Sequence, residues 1–221
     1  EWLAKILGLV QTVILVRLLV PADFGVMRVA GFLIAAVVVF TRSGVDAAIV
    51  QRRDVSDRAI NTAWTMKVIQ NLVLYAILFF GAPYAADFYE KPVITPILRV
   101  VGVGLVFGGF QNIGIALLKK EMDFRTHQLF FSIGNALSVV VTIVAGFLLR
   151  SIWALVIGRV AHGMAALLLS YWLHPHRPRP VLAWGEVKNL LGFGLNMTGA
   201  GILIFLSTQG DDALVGKVVG M

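Results

Sequence analysis

Runs of Leu, Val, Ile, Ala and Phe alternate along the chain with short clusters of Arg, Lys, Pro and Asp. Crossing the hydrocarbon of a bilayer takes roughly 20 helical residues, within a range of about 17 to 25. On that scale the pattern predicts seven spans. They cover Trp2–Val20, Phe24–Phe40, Ala59–Ala82, Thr95–Leu118, Thr126–Leu149, Ile152–Leu173 and Val187–Leu206. Pro21 stops the first, and Asn189, Asn196 and several glycines dilute the last. The expected fold is all-α, a polytopic transmembrane helical bundle. His174-Pro175-His176-Arg177-Pro178-Arg179-Pro180 carries three prolines and reads as a linker between a six-helix unit and the start of a second.

Composition narrows the chemistry. The 221 residues are 58% hydrophobic and 14% charged, with a mean hydropathy of +0.85. A water-facing domain carries about a quarter charged residues. That excludes a soluble enzyme, a secreted disulfide scaffold and a disordered tail. The absence of cysteine removes disulfides, thiolate metal ligands and thiol catalysis. The chain starts at Glu1 already inside an apolar stretch, so it reads as a fragment.

A net charge of +7 raises the question of nucleic acid, and the placement of the basic residues answers it. One set of alternate connections, with the chain start, holds Lys5, Arg42, Arg52, Arg53, Arg58, Lys119, Lys120, Arg125, Arg177, Arg179 and Lys188. The other holds Arg17, Lys91, Arg150 and Lys217. Cytoplasmic loops carry the excess of Lys and Arg, so the N-terminus is expected in the cytoplasm. The charge then serves topology and anionic headgroups, with membrane lipid and not nucleic acid as the partner.

The four remaining basic residues, Arg28, Lys67, Arg99 and Arg159, lie within the spans. A charge at the bilayer centre costs roughly 2.5–3.5 kcal/mol on insertion scales, so each needs a reason. Arg28 and Arg99 sit about a turn from a span end, where long stems can reach headgroups. Lys67 and Arg159 sit deeper. All four are cationic, and no Asp or Glu lies at comparable depth. A hollow lined by them suits an anion, and an anion resident in a membrane is a lipid phosphate.

Polar stripes accompany the charges. Arg159, His162, Gly163, Ala166 and Ser170 fall on one face of the sixth span, and Asn135, Ser138, Thr142 and Gly146 on one face of the fifth. Lys67, Gln70 and Asn71 share a face of the third, separate from Asn61 and Thr65, and Asn189 and Asn196 align on the seventh. Such stripes suit either a wet lumen or close helix packing, and Gly104 and Gly108 fit packing. The candidate substrate-binding cations are thus Lys67, Arg159, Arg28 and Arg99. The candidate polar lining is Gln70, Asn71, Asn135, Ser138, Thr142, His162 and Asn196. No phosphate-binding Gly-rich loop with Lys-Ser/Thr appears, and His174 with His176 lack acidic partners, so neither a cofactor nor a metal is expected.

Arg17, Leu19, Pro21, Asp23, Phe24 and Gly25 read R-x-L-x-P-x-D-F-G, and Phe40, Gly44, Ala48, Ile49, Val50 and Gln51 read F-x-x-x-G-x-x-x-A-I-V-Q. Asp87-Phe88-Tyr89 with Pro92, Lys119 to Phe124, Leu191 to Gly194, and Asp211 with Gly216 and Gly220 come after them in order. With these motifs the chain resembles the polysaccharide biosynthesis, or oligosaccharide flippase, proteins of the MOP superfamily. The resemblance implies about twelve to fourteen helices in two lobes around a V-shaped cavity. Residues 1–173 would form the first six-helix lobe, 174–185 a cytoplasmic linker, and 186–221 the opening helix of the second lobe.

It further implies a bacterial inner-membrane protein that is not an enzyme. Its substrate would be a polyprenyl-diphosphate-linked oligosaccharide, moved by alternating access for surface polysaccharide biosynthesis. A polysaccharide polymerase and glycosyltransferases would be candidate partners. Two rivals stand beside it. One is a multidrug-extrusion-type antiporter, which a deep acid in the first lobe would favour. The other is a non-transporting scaffold of a polysaccharide-assembly complex, which stripes buried wholly in helix contacts would favour.

Overall fold

The structure, a computed structural model, describes residues 2–41, 49–50, 55–188, 190, 192 and 207. Seven helices organise them: α1 (Trp2–Leu18), α2 (Pro21–Thr41), α3 (Asp57–Phe88), α4 (Ile94–Phe110), α5 (Gly114–Lys120), α6 (Phe124–Leu149) and α7 (Trp153–Leu173). Residues 184–188 begin a further helix. The seventh expected span, with Asn196, falls almost wholly outside the described residues.

Local chemistry sets the boundaries. Pro21 has no N–H to donate and occupies the first position of α2, where none is required, with Asp23 in the same turn. α1 therefore stops at Leu18 and is shorter than the span expected from the sequence. At the start of α3 the Ser56 hydroxyl accepts from the Ala59 N–H at 3.2 Å. Asp123 does the same for α6, accepting from the Thr126 N–H at 3.0 Å. The Thr126 hydroxyl first, and this N–H second, hold the Asp123 carboxyl below its ordinary range. α6 ends on Arg150 at φ 46, in the left-handed region.

Among the described residues, α2 over Pro21–Val39, α3, α6 and α7 are long and apolar enough to cross a membrane. The expected fourth span, Thr95–Leu118, is not a straight rod. It breaks between Phe110 and Gly114 into α4 and α5, bent by 60°. Asn112 stabilises the break. Its side-chain oxygen accepts from the Gly114 N–H at 2.9 Å, and its own N–H donates to Ser170 Oγ on α7 at 3.0 Å. Backbone groups freed by the bend are thereby paired within the protein, as a low-dielectric surround demands.

α3 also departs from expectation, running 32 residues to Phe88 straight through Pro83. Proline removes the bond that the Phe79 carbonyl would accept. Arg99 replaces it: its Nε donates to the Phe79 carbonyl at 3.3 Å, and its guanidinium lies 4.4 Å from the Phe79 ring centre.

α3 packs along α4, and α6 along α7; α4 joins the pairs by packing on α7, α1 lies on α6, and α2 contacts α3 and α4. Glycines permit the close approaches. A Cβ at Gly102 would meet the Leu78 side chain at 2.7 Å, and one at Gly109 the Asn71 Cβ at 2.8 Å. A Cβ at Gly158 would collide with the Thr142 hydroxyl. One apolar cluster, centred on Ala30, Ile97, Leu98 and Val156, ties α2, α3, α4 and α7 together. A second unites Ile49, Ile60, Ala63, Ile113 and Leu190. The outer faces carry exposed Phe80, Tyr84, Leu148, Leu168 and Trp172, the surface a lipid phase would cover.

Candidate functional site

Two cavities inside the bundle are lined by described residues. The larger, about 740 Å³, is walled by residues of α2 to α7 and by Val50. Lys67 of α3, Lys119 of α5, and Arg159 and His162 of α7 reach it, between apolar walls that include Ile34, Val38 and Phe130. Val101 and Leu105, members of the first apolar cluster, also line it. Gln111 and Asn112, at the bend, border it too. The 60° break turns α5 so that Lys119, two residues before Glu121, faces the same hollow as the deep charges.

The smaller cavity, about 310 Å³, lies among α1, α2, α6 and α7. Gln11, Asn135, Ser138, Thr142, Arg159 and His162 line it with Met27, Leu155 and Gly158. Arg159 and His162 thus border both hollows. Neither hydrogen-bonds nor ion-pairs with any described residue. Gly31 and Gly134 flank them: a Cβ at Gly31 would stand 3.9 Å from Arg159 Nη2, and one at Gly134 3.8 Å from His162 Cε1, both ordinary van der Waals distances. Neither cavity is lined by a described Asp or Glu. The low-dielectric walls strengthen the attraction of these cations for an anion.

The structure sorts the residues singled out from sequence. Lys67, Arg159 and His162 come together with Lys119 in the larger cavity; Asn135, Ser138 and Thr142 join Arg159 and His162 in the smaller. Arg99 lines neither, because its guanidinium is engaged by the carbonyl that Pro83 leaves bare. Arg28 and Gln70 line neither either, and each is engaged elsewhere. Asn71 is buried in the α3–α4 contact, with its Nδ2 donating to the Lys67 carbonyl at 2.9 Å. Asn196 lies outside the described residues. Gly104 opens onto the larger cavity, and a Cβ there would meet nothing within 4 Å, unlike its neighbours Gly102 and Gly109.

Three functional features escape a sequence reading. Lys119 looks like one more basic loop residue until the bend is known. Asn112 is buried among five hydrogen bonds: besides the two described at the bend, its carbonyl accepts from the Ile115 N–H at 3.2 Å, and its Nδ2 donates to the His176 carbonyl at 2.6 Å and the His174 carbonyl at 3.4 Å. Residues 174–183 form no regular element and lie against α3 as a strap. The Arg179, Val181 and Ala183 N–H groups donate to the Asn61, Thr65 and Thr62 side chains at 2.9, 3.0 and 3.3 Å. The alternate N–H groups of this extended segment meet a polar helix face. Within the strap the His176 N–H donates to His174 Nδ1 at 3.1 Å. Burial lowers the His174 pKa from its ordinary value, followed by opposing contributions of Glu121, which raises it, and of His176 and Arg177, which lower it.

The geometry is that of a membrane-embedded helical bundle with an internal cationic hollow, and the chain is a multi-pass membrane protein. Residues 14–221 match the family described as polysaccharide biosynthesis protein, and the chain belongs to that family. It is similar to the succinoglycan biosynthesis transport protein ExoT of Rhizobium meliloti (strain 1021), 24% identical over 97% of the chain and 44% of that protein. It is similar to the lipopolysaccharide biosynthesis protein WzxC of Escherichia coli (strain K12), 22% identical over 97% of the chain and 44% of that protein. The teichuronic acid biosynthesis protein TuaB of Bacillus subtilis (strain 168) is 22% identical over 80% of the chain and 37% of its own length. The chain therefore spans less than half the length of these relatives. No solved structure matches it.

Proposed function

We propose that the whole protein carries a polyprenyl-diphosphate-linked oligosaccharide across the bacterial inner membrane by alternating access, and that it is not an enzyme. The observation that carries this reading is the pair Arg159 and His162, facing both cavities without a partner among the described residues, with Lys67 and Lys119 in the larger one. A diphosphate offers anionic oxygens to such cations, and water exclusion by Ile34, Val38 and Phe130 strengthens the contact. The polyprenyl tail stays in lipid, and rocking of residues 1–173 against a second lobe re-exposes the site on the other side. A drug antiporter working through a buried acid is less well supported, since neither cavity is lined by one among the described residues. A pure scaffold is less well supported by two open hollows.

The test uses the full-length protein in a host whose surface polysaccharide depends on it. Lys67→Glu combined with Arg159→Glu is expected to abolish export while the protein still reaches the membrane. Undiminished surface polysaccharide would remove the proposed role. Labelling of cysteines placed at Arg52 and Arg53 from the periplasm would overturn the orientation on which the direction of transport rests.

A further inference from the structure

We infer that the smaller cavity is a subsite for one neutral pyranose ring, the sugar joined directly to the diphosphate. The inference rests on the proposed transport of a diphosphate-linked sugar and assigns the neighbouring hollow a ligand of its own.

The argument starts from hydrogen-bonding capacity. Gln11 on α1 and Asn135 on α6 face this hollow beside Arg159 and His162, and none of the four is bonded to any described residue. Polar groups inside a membrane bundle must be satisfied by something. Each amide offers two donors and one acceptor oxygen, a combination that can donate to one sugar hydroxyl and accept from the next. Two amide oxygens disfavour a second phosphate, which brings only acceptors. One guanidinium disfavours a metal cation, and the polar lining disfavours an acyl chain.

The wall behind these groups is fixed. Ser138 donates to the Gly158 carbonyl at 2.9 Å and Thr142 to the Ser138 carbonyl at 2.6 Å. Both hydroxyl protons are thus engaged, leaving oxygen lone pairs as acceptors for ligand O–H groups. Met27 and Leu155 supply the apolar surface that the C–H face of a pyranose requires. At about 310 Å³ the hollow suits one ring and not an oligomer, given that pockets for drug-sized ligands run from roughly 300 to 1,000 Å³. Since Arg159 and His162 border both hollows, a ligand bound across them would place its phosphate–sugar linkage at that pair.

The experiment measures binding to the purified full-length protein. The probes are farnesyl diphosphate and farnesyl diphosphate carrying a single glucose, galactose or N-acetylglucosamine. At least one sugar-bearing probe is expected to bind about tenfold more tightly than the bare diphosphate, the scale of one or two well-made hydrogen bonds. Asn135→Leu is expected to bring that ratio close to one, and Gln11→Leu, on a different helix, to reduce it in the same sense should the first variant fold poorly. The inference is overturned if no sugar-bearing probe outcompetes the bare diphosphate, or if the ratio survives both substitutions. The diphosphate reading fails separately, if Lys67→Glu leaves the affinity of bare farnesyl diphosphate unchanged.

Discussion

Arg99 and Arg159 are both arginines within apolar helices, yet their surroundings give them opposite work. Arg99 stands across from Pro83, whose missing N–H leaves the Phe79 carbonyl to be paired, and that carbonyl with its ring holds the guanidinium. Arg159 stands beside Gly158, where α6 and α7 approach closely and a hollow opens next to the contact, and no described carbonyl or acid meets it. A charge in a span therefore becomes part of a site only when the surrounding backbone leaves it without a job. The α3–α4 pair consumes Arg99 and Asn71; the α6–α7 pair bonds Ser138 and Thr142 but leaves Arg159, His162 and Asn135 facing the hollows.

The largest test of that contrast is functional. Arg159→Glu is expected to stop polysaccharide export with the melting temperature of the full-length protein little changed, whereas Arg99→Leu should leave export in proportion to the folded protein that remains. Equal loss of export per folded molecule in both variants would erase the distinction. Next comes packing. Gly158→Leu must displace Thr142 and the α6 backbone, and a loss of about 1–3 kcal/mol or more is expected in thermal unfolding. Gly104→Ala enters open space and is expected to be neutral or stabilising by up to about 1 kcal/mol.

A third prediction isolates the Arg99 bond. Arg99→Leu is expected to cost about 1–3 kcal/mol by leaving the Phe79 carbonyl bare. Pro83→Ala restores an N–H for that carbonyl and should recover a large part of the loss in the double variant. Additive effects in this double-mutant cycle would break the assigned pairing.

The smallest expected effect concerns the strap. His174 holds a pKa below 6.5 in the folded protein, so the unfolded chain binds more protons between that lowered value and 6.5. Stability then rises with pH through that window; it is complete above 6.5 and lost as pH falls toward the folded value. The mechanism is local: a proton on Nδ1 removes the acceptor used by the His176 N–H. Hydrogen exchange at residues 176–183, corrected for intrinsic rates, should accelerate below pH 6.5, and Asn112→Ala should raise it at every pH. Flat protection across that range in the unsubstituted protein would count against the His174 contact.

Hydrophobic length made α2, α3, α6 and α7 legible from sequence, because each is a continuous apolar run near the thickness of a bilayer. The shared face of Arg159 and His162 was legible for the same reason, as periodicity within one helix. What could not be read joins distant elements. Near Gln111 the only local mark of the 60° turn is Asn112 with Gly114, and the partners that hold it, on α7 and in the strap, lie about sixty residues away. Arg99 and the carbonyl it serves lie on separate helices, so burial depth alone put it among the lumen cations. Lys119 shared the fate of α5, and Asn61 with Thr65, set apart from Lys67 by helical phase, had no visible purpose before the strap was seen on them.

The strap has one more implication. A proline-rich segment between two moving bodies is commonly pictured as slack, with every residue free to flex. Here main-chain N–H groups at 179, 181 and 183 are moored to α3, so this stretch travels as cargo of the helices before it. Leu190, buried with Ile60 and Ala63, extends that attachment beyond the strap, so any pivot toward the proposed second lobe lies past residue 190, and lengthening the segment upstream would slacken a mooring line without moving the hinge.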